Sequence, residues 1–185
     1  ESVKDEVIAA LEYFPELEDT EIEFRFKDRI KKSTMQAQPK FISLFRNKEN
    51  RKYIILMSRQ IQIDEEDFTM DDIPSDVKIG WFGHELGHIM DYQERTNVGM
   101  AILGLTYLIS SKSVRKVERT ADTYAIGHGM GEYILKTKNF ILDHSSISER
   151  YKERIRRLYI SPEEVMELIN EGSLEEIEEL ESMSN

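Results

Sequence analysis

His84-Glu85-Leu86-Gly87-His88 reads as two metal ligands and a general base within five residues. Residues four apart lie one turn above each other on an α-helix, so both imidazoles can reach one ion from a single rigid rod. Glu85 is turned roughly 100° from His84 and about 60° from His88, which suits taking a proton from a water beside the ion better than ligating it. The spacing predicts a zinc-dependent hydrolytic site on a helix running from Ser75 or Asp76 to about Arg95. Along that helix Ile79, Phe82, Leu86 and Ile89 form one apolar stripe, and Val77, Trp81, His84 and His88 form another. A helix apolar on two sides is expected to be buried on two sides. Gly83 and Gly87 each cost it about 1 kcal/mol against alanine, which close approach of another backbone would explain.

Catalytic zinc takes three protein ligands and keeps one position open. Thirty residues after His88 comes Glu118-Arg119-Thr120-Ala121-Asp122, whose two carboxylates share one helical face. Glu118 is the expected third ligand. Asp122, one turn on, is placed to accept the free ring N–H of a ligating histidine and fix its tautomer. The alternative for the pair is a solvated face, because Lys112, Arg115, Lys116 and Arg119 surround it. A third stretch, His144-Ser145-Ser146-Ile147-Ser148-Glu149-Arg150, opens a helix whose apolar positions are Ile147, Ile155 and Leu158. By itself it reads equally as a surface histidine before a serine cap. Tyr124 and His128 lie farther along the helix of Glu118, with Gly127-His128-Gly129 expected as a bend.

The order of these three stretches resembles the gluzincin zinc metallopeptidases of the CaaX-prenyl-protease and HtpX type, over about residues 76 to 158. In that family the third stretch reads H-P-x-x-x-E-R; here Ser145 stands at the proline, while His144, Glu149 and Arg150 keep their places. The resemblance implies an α+β, zincin-like domain, with a small N-terminal antiparallel sheet packed on the active-site helix and a helical C-terminal half. It implies one Zn2+ per chain on His84, His88 and Glu118, with Asp122 behind them. It further implies an endopeptidase acting on a peptide or protein substrate, in which zinc-activated water attacks the scissile bond and Glu85 is the general base. His144 and Arg150 are implied beside the metal, holding substrate or the developing oxyanion. Two rivals stand. Repressor-cleaving regulatory peptidases also pair H-E-x-x-H with a later E-x-x-A, although Asp122 and the His144 to Arg150 stretch favour the first family. A non-catalytic zinc-binding interaction module would need the histidines but not Glu85.

Upstream, Val3, Val7, Ile8 and Leu11 recur at helical spacing before Phe14-Pro15. Glu21 to Lys27 alternates Ile22, Phe24 and Phe26 with charged residues, the pattern of a half-buried strand. Phe41-Ile42-Ser43-Leu44-Phe45 and Tyr53-Ile54-Ile55-Leu56-Met57 flank Asn47-Lys48-Glu49-Asn50 and read as a hairpin. Residues 53 to 61 are the candidate edge strand for main-chain pairing with an extended substrate, an internal strand being the alternative.

One globular domain fits 185 residues that are 39% hydrophobic, and the absence of cysteine removes disulfides and thiolate chemistry. The longest apolar run, Val98 to Ile109, is too short for a bilayer, which takes about 20 residues. It is expected as a buried helix joining the two zinc-ligand helices, with a membrane-dipping segment as the alternative. The chain starts at Glu1, from which loss of an N-terminal signal or lipid anchor is expected, leaving an extracytoplasmic location open. The net charge of −11 sits in the tail: residues 161 to 185 hold nine acidic residues and no Lys or Arg, whereas residues 1 to 160 balance 25 basic against 27 acidic side chains. That balance argues against a nucleic-acid partner. A metallopeptidase domain is therefore expected over 1–160 and an acidic helical extension docked on it over 161–185. The extension reads as two helices, Pro162 to Glu171 and Leu174 to Glu181, capped by Ser161 and Ser173 and broken at Gly172. Val165, Met166, Leu168 and Ile169, then Leu174, Ile177 and Leu180, make stripes that dock on the domain, cover the cleft in self-inhibition, or bind a partner.

Overall fold

The structure, a computed structural model, describes residues 3–30, 33–45, 48–63, 66–144 and 147–183, with the backbone alone for Phe45, Glu66 and 173–183. The elements run α1 (Lys4–Leu11), β1 (Ile22–Lys27), β2 (Met35–Pro39), β3 (Tyr53–Ser58), β4 (Gln60–Ile63) and β5 (Glu66–Thr69). The rest is helical: α2 (Ser75–Glu94), α3 (Asn97–Ile109), α4 (Ser111–Ala125), α5 (Gly131–Asp143), α6 (Glu149–Leu158) and α7 (Pro162–Met183). The class is α+β with a helical C-terminal half, as the pattern of residues implied.

The sheet departs from expectation. β3 is apolar without alternation and every one of its residues is buried, the composition of a strand covered on both faces. It is the central strand in the order β1-β3-β2, parallel to β1 and antiparallel to β2. The sheet is therefore mixed rather than antiparallel, and the strand expected at the edge is interior. Its expected hairpin partner, Phe41–Phe45, is a 3-10 helix with Phe41 and Ile42 exposed. Ser43 closes that turn, its N–H donating to the Lys40 carbonyl and its hydroxyl reaching the carbonyls of Lys40 and Lys52. Asn47 and Ser145 lie outside the described residues.

β2 takes the edge instead. The Lys40 N–H donates to the Lys52 carbonyl and the Ser58 N–H to the Thr34 carbonyl, so the even-numbered residues of this stretch face β3. By the alternation of an antiparallel ladder, Met35, Ala37 and Pro39 turn their main-chain groups to the free edge. Proline at such a position loses no ladder bond. β4 and β5 form a separate antiparallel hairpin.

α2 is the axis of the molecule, and both of its apolar stripes are buried. Two neighbours press their backbones against it. A Cβ at Gly80 would lie 2.5 Å from the Tyr133 carbonyl of α5, and one at Gly87 would run into the Ala121 carbonyl of α4. Gly83 faces the Met130 side chain rather than a backbone.

α3 does join α2 to α4, but it is exposed rather than buried, with Met100 its one buried residue. Only one side of the helix has a neighbour to pack on. Among the described residues no helix is long and apolar enough to cross a membrane. α7 is one continuous helix instead of two. Gly172 costs a helix interior about 1 kcal/mol but does not have to break it. The Ser161 hydroxyl caps α7 by accepting from the Glu164 N–H, and the Glu164 carboxylate accepts from the Ser161 N–H. Val165 is fully buried, Ile169 abuts Gly131, and Met166 is exposed. The side chains of Ser173, Leu174, Ile177 and Leu180 lie outside the described residues.

Candidate metal centre

The close crossing of α2 and α4 at Gly87 and Ala121 brings the two halves of the candidate site together. One donor atom from each of His84, His88 and Glu118 lies within 4.8 Å of the other two. Glu118 Oε2 is 3.1 Å from His84 Nε2 and 3.7 Å from His88 Nε2. Tetrahedral ligands about 2.1 Å from zinc stand about 3.4 Å apart, so the spacing fits. The donor chemistry fits as well: two imidazole nitrogens and one carboxylate leave a fourth position for water or substrate.

Asp122 is where the sequence placed it. The His84 Nδ1–H donates to Asp122 Oδ1 at 2.8 Å, which leaves Nε2 directed at Glu118. The other Asp122 oxygen accepts from Lys138 Nζ at 2.7 Å and from the Ile160 N–H at 3.4 Å. Burial alone would push the Asp122 carboxyl up, but Lys138 and His84 outweigh it and hold it at about 2. His84 responds in the opposite sense. Burial disfavours its charged form, yet Asp122 and Glu118 lift it to about 10, so without metal a protonated ring bridges the two carboxylates. Glu118 is held well below the usual carboxylate range by the two histidines, against the upward push of burial. His88 differs from His84: its Nδ1 is buried and finds no hydrogen-bond partner among the described residues.

Glu85 is buried on the side of α2 that faces β2, and one of its oxygens accepts from the Ala37 N–H at 2.5 Å. Burial raises its pKa, with the two histidines and the Ala37 N–H opposing. Glu85 is thus held by the edge strand β2.

Three tyrosines enclose this group, and none was singled out from sequence. The Tyr107 hydroxyl donates to Glu118 Oε1 at 2.8 Å. The Tyr159 ring lies 5.7 Å from His84 and carries Lys138 over its face at 4.5 Å, while Tyr92 stacks on His88 at 5.9 Å. All three phenols are pushed up, first by burial and then by the surrounding carboxylates, so they stay protonated. Lys138 was missed too. Its one signal in the sequence is a lysine on a helix whose neighbours Ile134 and Thr137 are buried.

The third stretch is not part of the converging group. His144 packs between the rings of Phe68 and Phe140, at 5.4 and 5.8 Å, with Trp81 beyond Phe140. Arg150 is exposed in the first turn of α6, and no hydrogen bond or ion pair joins it to the ligand set. His128 turns away from the centre, its Nδ1 2.7 Å from the Tyr124 carbonyl and its ring stacked on Phe14. The expected bend is there: the backbone leaves helical geometry at His128 and Gly129, the latter at φ 81°, between α4 and α5. Comparison of the chain with protein-family models, curated proteins and solved structures gives no significant match.

Proposed function

We propose that this chain is a zinc-dependent peptide hydrolase of gluzincin type. The observation that carries the reading is the convergence of His84, His88 and Glu118, with the Glu85 carboxylate beside them at the edge of β2. Zinc held by the three ligands supplies Lewis acidity to the scissile carbonyl and makes water nucleophilic near neutral pH. Glu85 takes the proton that the attacking water gives up and delivers it to the amide nitrogen as the C–N bond breaks. Its raised pKa moves it toward the working pH, where such a shuttle is most effective. Asp122 and Lys138 fix the His84 ring. β2 is the edge strand beside this group, and an extended peptide adding to it would compete with Glu85 for the Ala37 N–H. Tyr159, held protonated beside the ligands, is a donor for the developing oxyanion, an interaction worth roughly 2.7 to 4 kcal/mol when well aimed.

Metal analysis combined with digestion of a broad peptide library tests the proposal. The wild type is expected to bind one zinc and to cleave. Glu85→Gln keeps the zinc and loses cleavage. Glu118→Ala lowers zinc affinity by more than the roughly 10 to 100-fold typical of a supporting residue. Full zinc occupancy in a wild type that cuts nothing would give the non-catalytic module instead.

A further inference from the structure

α3 carries an apolar face that none of the described residues covers. At 100° per residue, Leu108, Ala101, Leu105, Val98, Ile109 and Ile102 fall in that order within an arc about 120° wide that contains no polar residue. The five large side chains in the arc are between 57% and 82% exposed. Single exposed apolar residues need no explanation, whereas a continuous aliphatic stripe along a whole helix does. The opposite face is committed to the protein: Met100 is buried and the Tyr107 hydroxyl is bound to Glu118.

The surrounding charge indicates what covers the arc. From Arg95 to Val117 there is no acidic residue, in a chain whose net charge is −11. Lys112, Arg115 and Lys116, in the first turns of α4, are exposed and in no ion pair among the described residues. The occupant must therefore be apolar where it meets α3 and negative where it meets α4. Its shape is constrained as well. The arc is a convex ridge, which one partner helix covers only along a line but a fluid layer covers across its full width. A protein interface of this size would also carry aromatic anchors at its centre, and the arc has none. Thirteen residues at 1.5 Å each span about 20 Å, too short to cross a bilayer but enough to lie in its surface.

We propose that α3 is an interfacial anchor for an anionic lipid surface, its aliphatic arc in the acyl boundary and Lys112, Arg115 and Lys116 among the headgroups. The inference stands apart from the hydrolytic reading of the metal centre. Because Tyr107 ties α3 to Glu118, docking sets that centre one hydrogen bond from the anchored helix.

Flotation of the full chain with vesicles tests the anchor. The wild type is expected to float with mixed phosphatidylglycerol–phosphatidylcholine vesicles, to float less with phosphatidylcholine alone, and to be released by high salt. Leu105→Ser/Leu108→Ser should lower binding at least about tenfold, with an unchanged circular dichroism spectrum and zinc content. Reversing Lys112, Arg115 and Lys116 to Glu should remove the preference for the anionic vesicles. A wild type that stays unbound, or serine variants that float as well as the wild type, would overturn the anchor. So would a vesicle-free dimer in sedimentation that the serine variants dissolve, since a second copy would then cover the arc.

Discussion

α3 and the two helices that flank it break the usual polarity of a folded chain in opposite senses. α2 and α4 bury Glu85, His88, Glu118 and Asp122, while the helix between them in sequence holds Leu105, Leu108 and Ile109 in solvent. Each inversion opposes stability, since buried charge loses hydration and exposed aliphatics order water. They are resolved differently. The buried carboxylates are answered inside the molecule, by Lys138, by His84 and by main-chain N–H groups. The aliphatic arc has no answer among the described residues. Positions where a sequence breaks local rules without repair are those at which an outside partner is expected.

The largest effect tests the repair of the buried side. Lys138 and Asp122 are both almost wholly shielded, at 7% and 0% side-chain exposure. Removing one member of such a pair leaves an uncompensated charge, so Lys138→Met should destabilise the fold by about 3 to 5 kcal/mol. Urea unfolding measures this. A loss under about 1 kcal/mol would mean that water reaches Asp122 and that the contrast with α3 is overstated.

Next comes Leu86→Ala, on the buried stripe of α2 opposite the two histidines. Leu86 is 0% exposed, and a buried leucine truncated to alanine costs about 2 to 5 kcal/mol. Zinc affinity should fall with it, because the cavity opens beside the rod that holds His84 and His88.

What the sequence disclosed about these regions follows from the range of the interactions. The converging group was legible because its spacings are local to two helices: four residues from His84 to His88, and four from Glu118 to Asp122. The bounds of α2 were legible for the same reason. Lys138, Tyr107 and Tyr159 were not, because only the tertiary crossing brings them to the ligands. β2 was missed because Met35-Gln36-Ala37-Gln38-Pro39 is short, half polar and ends in proline, which at a free edge is tolerated. Phe41–Phe45 misled in the opposite way: an aromatic and branched run resembles a strand, although the Ser43 bonds close it into a turn. Hydropathy marked Val98 to Ile109 as apolar, but it carries no information on whether a neighbour exists to cover it.

A smaller effect separates the two faces of α4. On the outer face Arg119 forms a double contact with Glu164 at 2.6 and 3.0 Å, with side chains 31% and 42% exposed. Arg119 and the Ser161 N–H hold Glu164 at about 2, below an unfolded value of about 4.3. A depressed carboxylate contributes stability that is complete above the unfolded pKa and is lost as pH falls toward the folded one. Solvent screening limits the pair to about 0.5 to 1 kcal/mol. The difference in urea midpoint between wild type and Glu164→Gln should therefore be present at pH 6, shrink below about pH 4 and weaken in salt. A pH-independent difference would assign the effect to the cap of α7 rather than to the ion pair.

The smallest effect is the most discriminating, because it repeats the chemistry of Leu86→Ala on the other side of the comparison. Leu108 is 82% exposed, so Leu108→Ala removes almost no buried area, and alanine is at least as good a helix former as leucine. The expected change in unfolding free energy is within about 0.5 kcal/mol. The same deletion should reduce binding to anionic vesicles, since the lost side chain is one the lipid would cover. Unaltered stability with weakened vesicle binding would place the value of Leu108 outside the folded chain, whereas a stability loss above about 1 kcal/mol would show the arc packed on the protein and abolish the contrast with α2.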